Sequence, residues 1–251
     1  MEVRPVEWAV DGITIAGELR FPANRDTSPA LCICHGIPSG KPADPDDRGY
    51  PRLAERFCLS GFATLIYNFR GTGSSGGNFD MMGWARDLQS AVDYLDACPQ
   101  VDRSRLYLMG FSGGAAACAY VAAHDVRVAR VVLCACPSEF RRVVMEKKAD
   151  FSIDRFRQIG LIRDKDFPPS PDDWANGFRK IMPIDWIDRI APRPLFILQG
   201  QDDDLIEEEQ AWRLYEKAGE PKEIAVIPGA GHKLRLSDQA MDIALAWLNR
   251  E

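Results

Sequence analysis

Two short stretches, Gly73-Ser74-Ser75-Gly76-Gly77 and Gly110-Phe111-Ser112-Gly113-Gly114, fit the pattern G-x-S-x-G. That pattern suits a chain that leaves a strand, turns sharply with a serine at the apex and enters a helix. The pattern alone does not choose between them. Ser112 follows the apolar run RLYLM and precedes the small-residue stretch GGAAACAYVAA, so a strand arrives and a helix departs with its N-terminus facing the hydroxyl. Ser75 lies in GTGSSGG, which has turn chemistry and no helical pattern before about Gly83. The sequence therefore predicts a reactive serine at Ser112 and a loop serine at Ser75.

A serine hydroxyl is a weak nucleophile near neutral pH and needs a base within hydrogen-bond reach. The chain has 3 histidines. His124 falls at the far end of the helix that begins beside Ser112, about 18 Å away at 1.5 Å per residue, and cannot serve. His35 ends the apolar run ALCIC and precedes Gly36, a place suited to shaping the next loop. His232, in Pro228-Gly229-Ala230-Gly231-His232, follows the last strand-like run and is assigned as the base. A carboxylate must then orient the imidazole, and Gln201-Asp202-Asp203-Asp204 follows the apolar run PLFILQG. The residues alone leave Asp202, Asp203 and Asp204 open, since acids near a helix N-terminus are also favoured there as a solvated loop.

These side chains need a scaffold that brings distant loops to one edge. Val3 to Val10 and Ile13 to Phe21 flank Asp11-Gly12, a dipeptide suited to a type I′ hairpin. Apolar runs at Ala30 to Cys34, Phe62 to Phe69, Leu106 to Met109, Val128 to Cys136, Leu195 to Leu198 and Glu223 to Ile227 then alternate with helical patterns. Short continuous runs separated by helices predict a doubly wound, mostly parallel eight-stranded α/β sheet. Ligands of such sheets bind beyond the carboxyl ends of the strands, where Ser112, the acidic triplet and His232 all fall. The alternation breaks at Pro137 to Arg193. Phe140, Val143, Val144, Phe151, Phe156 and Ile159 are too apolar for a solvated insertion, and are expected to pack over the crevice above Ser112, with Trp174, Phe178 and Trp186 as the alternative lining.

Composition narrows the partners. With 31 Lys+Arg against 37 Asp+Glu, and no basic run interleaved with aromatics, nucleic acid is excluded as a partner. The longest apolar stretch, Ala115 to Ala123, is half of the roughly 18 residues a membrane span requires, and the charged start MEVRPVE does not read as a signal peptide. A cytoplasmic protein is expected. The 7 cysteines are an odd number without a C-x-x-C spacing, and read as buried free thiols, with Cys32/Cys34 and Cys134/Cys136 each sharing one face of a strand.

Together these residues give a resemblance that spans essentially the whole chain. The sequence resembles the α/β-hydrolase superfamily through His35-Gly36, Arg70 to Gly77, the turn at Ser112 and Gly229-Ala230-Gly231-His232. The chain order Ser, Asp, His is that of the superfamily. In it the acid lies three residues beyond the glycine after the seventh strand and precedes an apolar pair, which at Gly200 and Leu205-Ile206 singles out Asp203. The resemblance also implies an oxyanion hole made by the backbone N–H groups of Ile37 and Gly113. Asn68 departs from the family, which often carries Asp before the Arg-Gly turn. The closest likeness is to small serine carboxylesterases of the cinnamoyl/feruloyl esterase type. The expectation is one hydrolase domain over 1–251 with a lid insertion at 138–190. It would hydrolyse a small-molecule ester through an acyl-enzyme, without metal or organic cofactor, and a homodimer is compatible with it. Rival readings are a thioesterase, small-peptide or C–C hydrolase with the same triad, or a catalytically silent binding module.

Overall fold

The computed structural model describes residues 1–23, 25–41, 47–140 and 149–250. The chain opens with β1 (Glu2–Val10) and β2 (Ile13–Phe21), an antiparallel hairpin whose Asp11 and Gly12 both take positive φ, as a type I′ turn requires. There follow β3 (Ser28–Cys34), α1 (Gly49–Leu59), β4 (Ala63–Tyr67), α2 (Met81–Ala97), β5 (Val101–Phe111), α3 (Gly113–His124) and β6 (Val128–Cys134). After α4 (Ala149–Gln158), α5 (Pro171–Lys180) and two short 3₁₀ turns come β7 (Leu195–Gly200), α6 (Glu208–Lys217), β8 (Lys222–Ile227) and α7 (Asp238–Leu248).

The eight strands lie in the order β1-β2-β4-β3-β5-β6-β7-β8, antiparallel at the hairpin end and parallel from β4 to β8. β3, β4 and β7 are wholly buried, β6 largely so and β5 from Leu106 onward, because helices cover both faces there; Arg103 to Arg105 of β5 are exposed. One core layer joins the sheet to α2, α3 and α6; the other joins it to α1 and α7. Helix α3 runs through the first layer, and its Gly and Ala residues let its backbone lie close on the strands. Asp80 starts α2 two residues earlier than the periodicity predicts, since its carboxylate accepts from the N–H groups of Met82 and Gly83.

The stretch between β6 and β7 is tied to the turn after β4. Asn78 accepts from the N–H groups of Arg163 and Asp164, at 2.7 and 2.9 Å, and donates to the Asp164 carboxylate at 2.7 Å. The Arg163 guanidinium donates to the carbonyls of Ser75 and Gly73. Behind these bonds Phe79 packs edge-on to Trp84, Phe156 and Trp174. Trp174 and Phe178 are consumed in this core, and Trp186 packs on Tyr120 and His124, so none of the three lines the crevice, contrary to the alternative above.

Two further expectations are corrected. Phe151 is 73% exposed: it stands on the outer side of α4, whose inner face buries Ala149 and Ile153. Val143 and Val144 lie outside the described residues. Cys134 and Cys136 do not share a face, because β6 ends at Cys134 and Ala135 turns the chain with φ 48°; the two thiols enter opposite core layers. Cys32 and Cys34 do fall in one layer, and the cysteines are free.

Candidate active site

Ser112 stands between β5 and α3 with φ 51° and ψ −121°, a conformation that costs a non-glycine residue on the order of 1–3 kcal/mol. Its surroundings hold it there. Its N–H donates to the Cys134 carbonyl at 2.9 Å, fastening the turn to the neighbouring strand. Gly114 has no side chain because a Cβ there would stand 2.3 Å from the His35 carbonyl oxygen, so α3 can begin directly against the end of β3. The hydroxyl caps no helix N–H and faces the cleft that Ser112 lines.

His232 and Asp203 meet across the loops after β8 and β7. The imidazole Nδ1 is 2.9 and 3.0 Å from the two Asp203 carboxylate oxygens. The carboxylate is buried, and its Oδ1 also accepts from the N–H groups of Leu205 and Ile206, each at 2.9 Å. Burial raises the cost of its charge, but the His232 contact and these two amides outweigh it and hold Asp203 below the ordinary carboxylate range. An ionised Asp203 accepts from Nδ1–H and leaves Nε2 with a lone pair. Asp202 and Asp204 are exposed, and of the three acids it is Asp203 that the structure brings to His232.

Ile37 and Gly113 are neighbours: a Cβ on Gly113 would lie 3.7 Å from the Ile37 nitrogen. His35 shapes that loop, as expected. Its Nδ1 lies 2.8 Å from the Gly36 carbonyl, and its Nε2 accepts from the Phe69 N–H at 3.2 Å, which assigns a neutral imidazole protonated on Nδ1. Burial pushes its pKa below the usual histidine value. His124 lies at the opposite end of α3, its Nδ1 on the Tyr120 carbonyl. Ser75 is fully buried, accepts from the Ala16 N–H at 2.9 Å and donates to the Asn68 carbonyl, which makes it a strut of the loop. Asn68 itself donates to the Ser74 hydroxyl at 3.1 Å.

The cleft over Ser112 has a volume of about 2100 Å³. Ser112, Gly113, Ile37 and His232 line it; Phe140, Phe156 and Ile159 form an apolar wall, and Glu139, Gln210 and Arg213 contribute a polar one. Glu139 is ion-paired to Arg213. Three contributors were not singled out in the sequence. Gln199, on β7, donates to the Ile206 carbonyl at 2.8 Å and to the Asp203 carboxylate at 3.3 Å, bracing the acid from behind. Tyr50 lines the cleft from α1, and Arg235, paired with Asp47, stands 5.2 Å over its ring. A glutamine inside a strand run and a tyrosine at a helix start carry no motif, so only their contacts reveal them.

A sheet with a serine at the β5–α3 turn and an Asp–His couple from its last two parallel strands defines a hydrolase of the doubly wound class. The model of the Alpha/beta hydrolase family matches residues 31–244, and the chain belongs to that family. An uncharacterised protein of Pseudomonas aeruginosa, PA2218, is 27% identical over 277 residues, covering 88% of this chain and 72% of that one. Among solved structures, the α/β hydrolase GrgF from Penicillium sp. sh18 is similar with a TM-score of 0.75 at 22% identity, covering 99% of this chain and 98% of its own. Est1E from Butyrivibrio proteoclasticus is similar with a TM-score of 0.71 at 18% identity, covering 97% and 95%, and has also been solved with ferulic acid bound.

Proposed function

We propose that this hydrolase cleaves carboxylic esters through an acyl-enzyme on Ser112. His232 Nε2 takes the hydroxyl proton as Ser112 Oγ attacks the carbonyl carbon, and Asp203 stabilises the imidazolium that forms. The N–H groups of Ile37 and Gly113 receive the developing oxyanion. The imidazolium then gives its proton to the departing alkoxide, and a water activated by the same base releases the acid. The observation that carries this reading is the strained Ser112 turn and the His232–Asp203 couple facing one cleft. Residues 138–190 then act as a cap on a single catalytic unit, and their Phe140, Phe156 and Ile159 favour an aryl or branched apolar group on one side of the ester.

The test is a panel of p-nitrophenyl esters of graded acyl size, run beside thioester and peptide substrates. The proposal expects ester turnover that disappears in Ser112→Ala. Turnover of thioesters or peptides alone would keep the triad and replace the substrate class; full ester turnover by Ser112→Ala would refute the mechanism.

A further inference from the structure

Tyr50 sits in the first turn of α1 and lines the same cleft as Ser112. Its hydroxyl oxygen is 3.4 Å from the Gly36 nitrogen. A backbone N–H only donates, so the phenol is the acceptor there and its own proton is left to give elsewhere. The groups packed around it do not take that proton. Arg235, 5.2 Å from the ring centroid, is a donor throughout. The His35 ring, 6.0 Å away, has Nδ1 on the Gly36 carbonyl and Nε2 filled by the Phe69 N–H. The Asp47 carboxylate is engaged by Arg235 at both oxygens and by the Gly49 N–H. Phe111 meets Tyr50 with its ring, and burial keeps the Cys134 thiol protonated. Among the described residues, none accepts from Tyr50.

The amide that Tyr50 holds is beside the reacting atoms, since a Cβ on Gly36 would lie 3.0 Å from the Ser112 Cβ, and Ile37 follows directly. Resting on the ester-hydrolase reading above, we propose that the Tyr50 hydroxyl donates a third hydrogen bond to the substrate oxygen that the Ile37 and Gly113 amides receive. The Arg235–Asp47 pair clamps the ring in place, and Arg235 comes from the loop that carries His232, so one bracket sets base and donor together. Burial pushes the phenol up to about 12, against the opposing pull of Arg235, which keeps the donated proton on it across the working range of such an enzyme.

The test reads the rate at which a fluorophosphonate labels Ser112, because its phosphoryl oxygen takes the place of the carbonyl oxygen and no natural substrate is needed. Tyr50→Phe is expected to slow labelling on the order of 10²-fold, the usual worth of one oxyanion donor. A trifluorotyrosine at position 50 keeps the ring and the oxygen that accepts from Gly36, but ionises at lower pH. Donation predicts that its labelling rate falls as the phenol loses its proton; a residue that only braced Gly36 would brace it as well or better as phenolate. Equal rates in Tyr50→Phe and wild type, or no alkaline fall in the fluorinated protein, would overturn the inference and leave the ester reading standing. A wild-type chain that is not labelled at Ser112 would overturn both.

Discussion

At the scale of single residues, the two G-x-S-x-G serines separate by what their hydroxyls touch. The Ser112 hydroxyl caps no helix N–H, and the backbone bonds of that turn survive its removal, so Ser112→Ala should remove ester turnover by about 10⁴-fold or more while leaving thermal stability within about 0.5 kcal/mol. Ser75→Ala should do the reverse, costing about 1–3 kcal/mol because the Ala16 N–H and Asn68 carbonyl lose a buried partner, with little effect on kcat. Equal catalytic losses in both would refute the assignment. Among the acids, Asp203→Asn should lower kcat by about 10⁴-fold, since an amide can hold the imidazole in the wrong tautomer, whereas Asp202→Asn and Asp204→Asn should stay near wild type. Steady-state kinetics on one ester decides it. Ser112 and His232 stand out in the sequence as candidates because few residues compete for those roles, and the fold brings both to one cleft. Asp203 stands out only through the family register, since Asp202, Asp203 and Asp204 are chemically identical in the sequence and differ only in the fold, where the Leu205 and Ile206 amides and His232 meet Asp203.

At the scale of elements, the alternation of runs marks most strands and helices to within about two residues, because strands such as β3, β4 and β7 are buried on both faces and read as unbroken apolar segments; β5 begins five residues before the expected Leu106, since the exposed Arg103 to Arg105 break its apolar run. The stretch between β6 and β7 was less legible. Helical periodicity marks which residues are apolar there, but Trp174 and Phe178 were spent against Phe79, and Phe151 faces outward. What remains over Ser112 from α4 and its flank is Phe140, Phe156 and Ile159. Replacing Phe140 or Ile159 with Ala should shift relative kcat/KM among esters of different acyl size by about 1–3 kcal/mol, the usual worth of a changed apolar contact. A uniform drop across the panel would assign these side chains to structure alone. The bonds from Asn78 and Arg163 tie the segment that follows α4 to the turn after β4.

At the scale of the whole molecule, an acidic chain of net charge −6 folds around a site whose key histidines do different work. Burial holds His35 neutral below the ordinary imidazole value of about 6.5, so the unfolded chain takes up that proton first and stability rises with pH in this window. The contribution is complete above the ordinary value and is lost as pH falls toward the lower folded one. His35→Gln should flatten that part of the profile of Tm against pH; an unchanged slope would show that His35 does not set it. The other histidine of the cleft, His232, instead rests on the buried Asp203 carboxylate. The claim on which everything else rests is that the acyl group passes through Ser112. Rapid quenching of the reaction with p-nitrophenyl acetate, followed by peptide mass analysis, tests it most directly. The account predicts one acetyl group on the peptide containing Ser112, and none in Ser112→Ala; an acetyl group on another residue, or undiminished turnover by the Ser112→Ala protein, would contradict it.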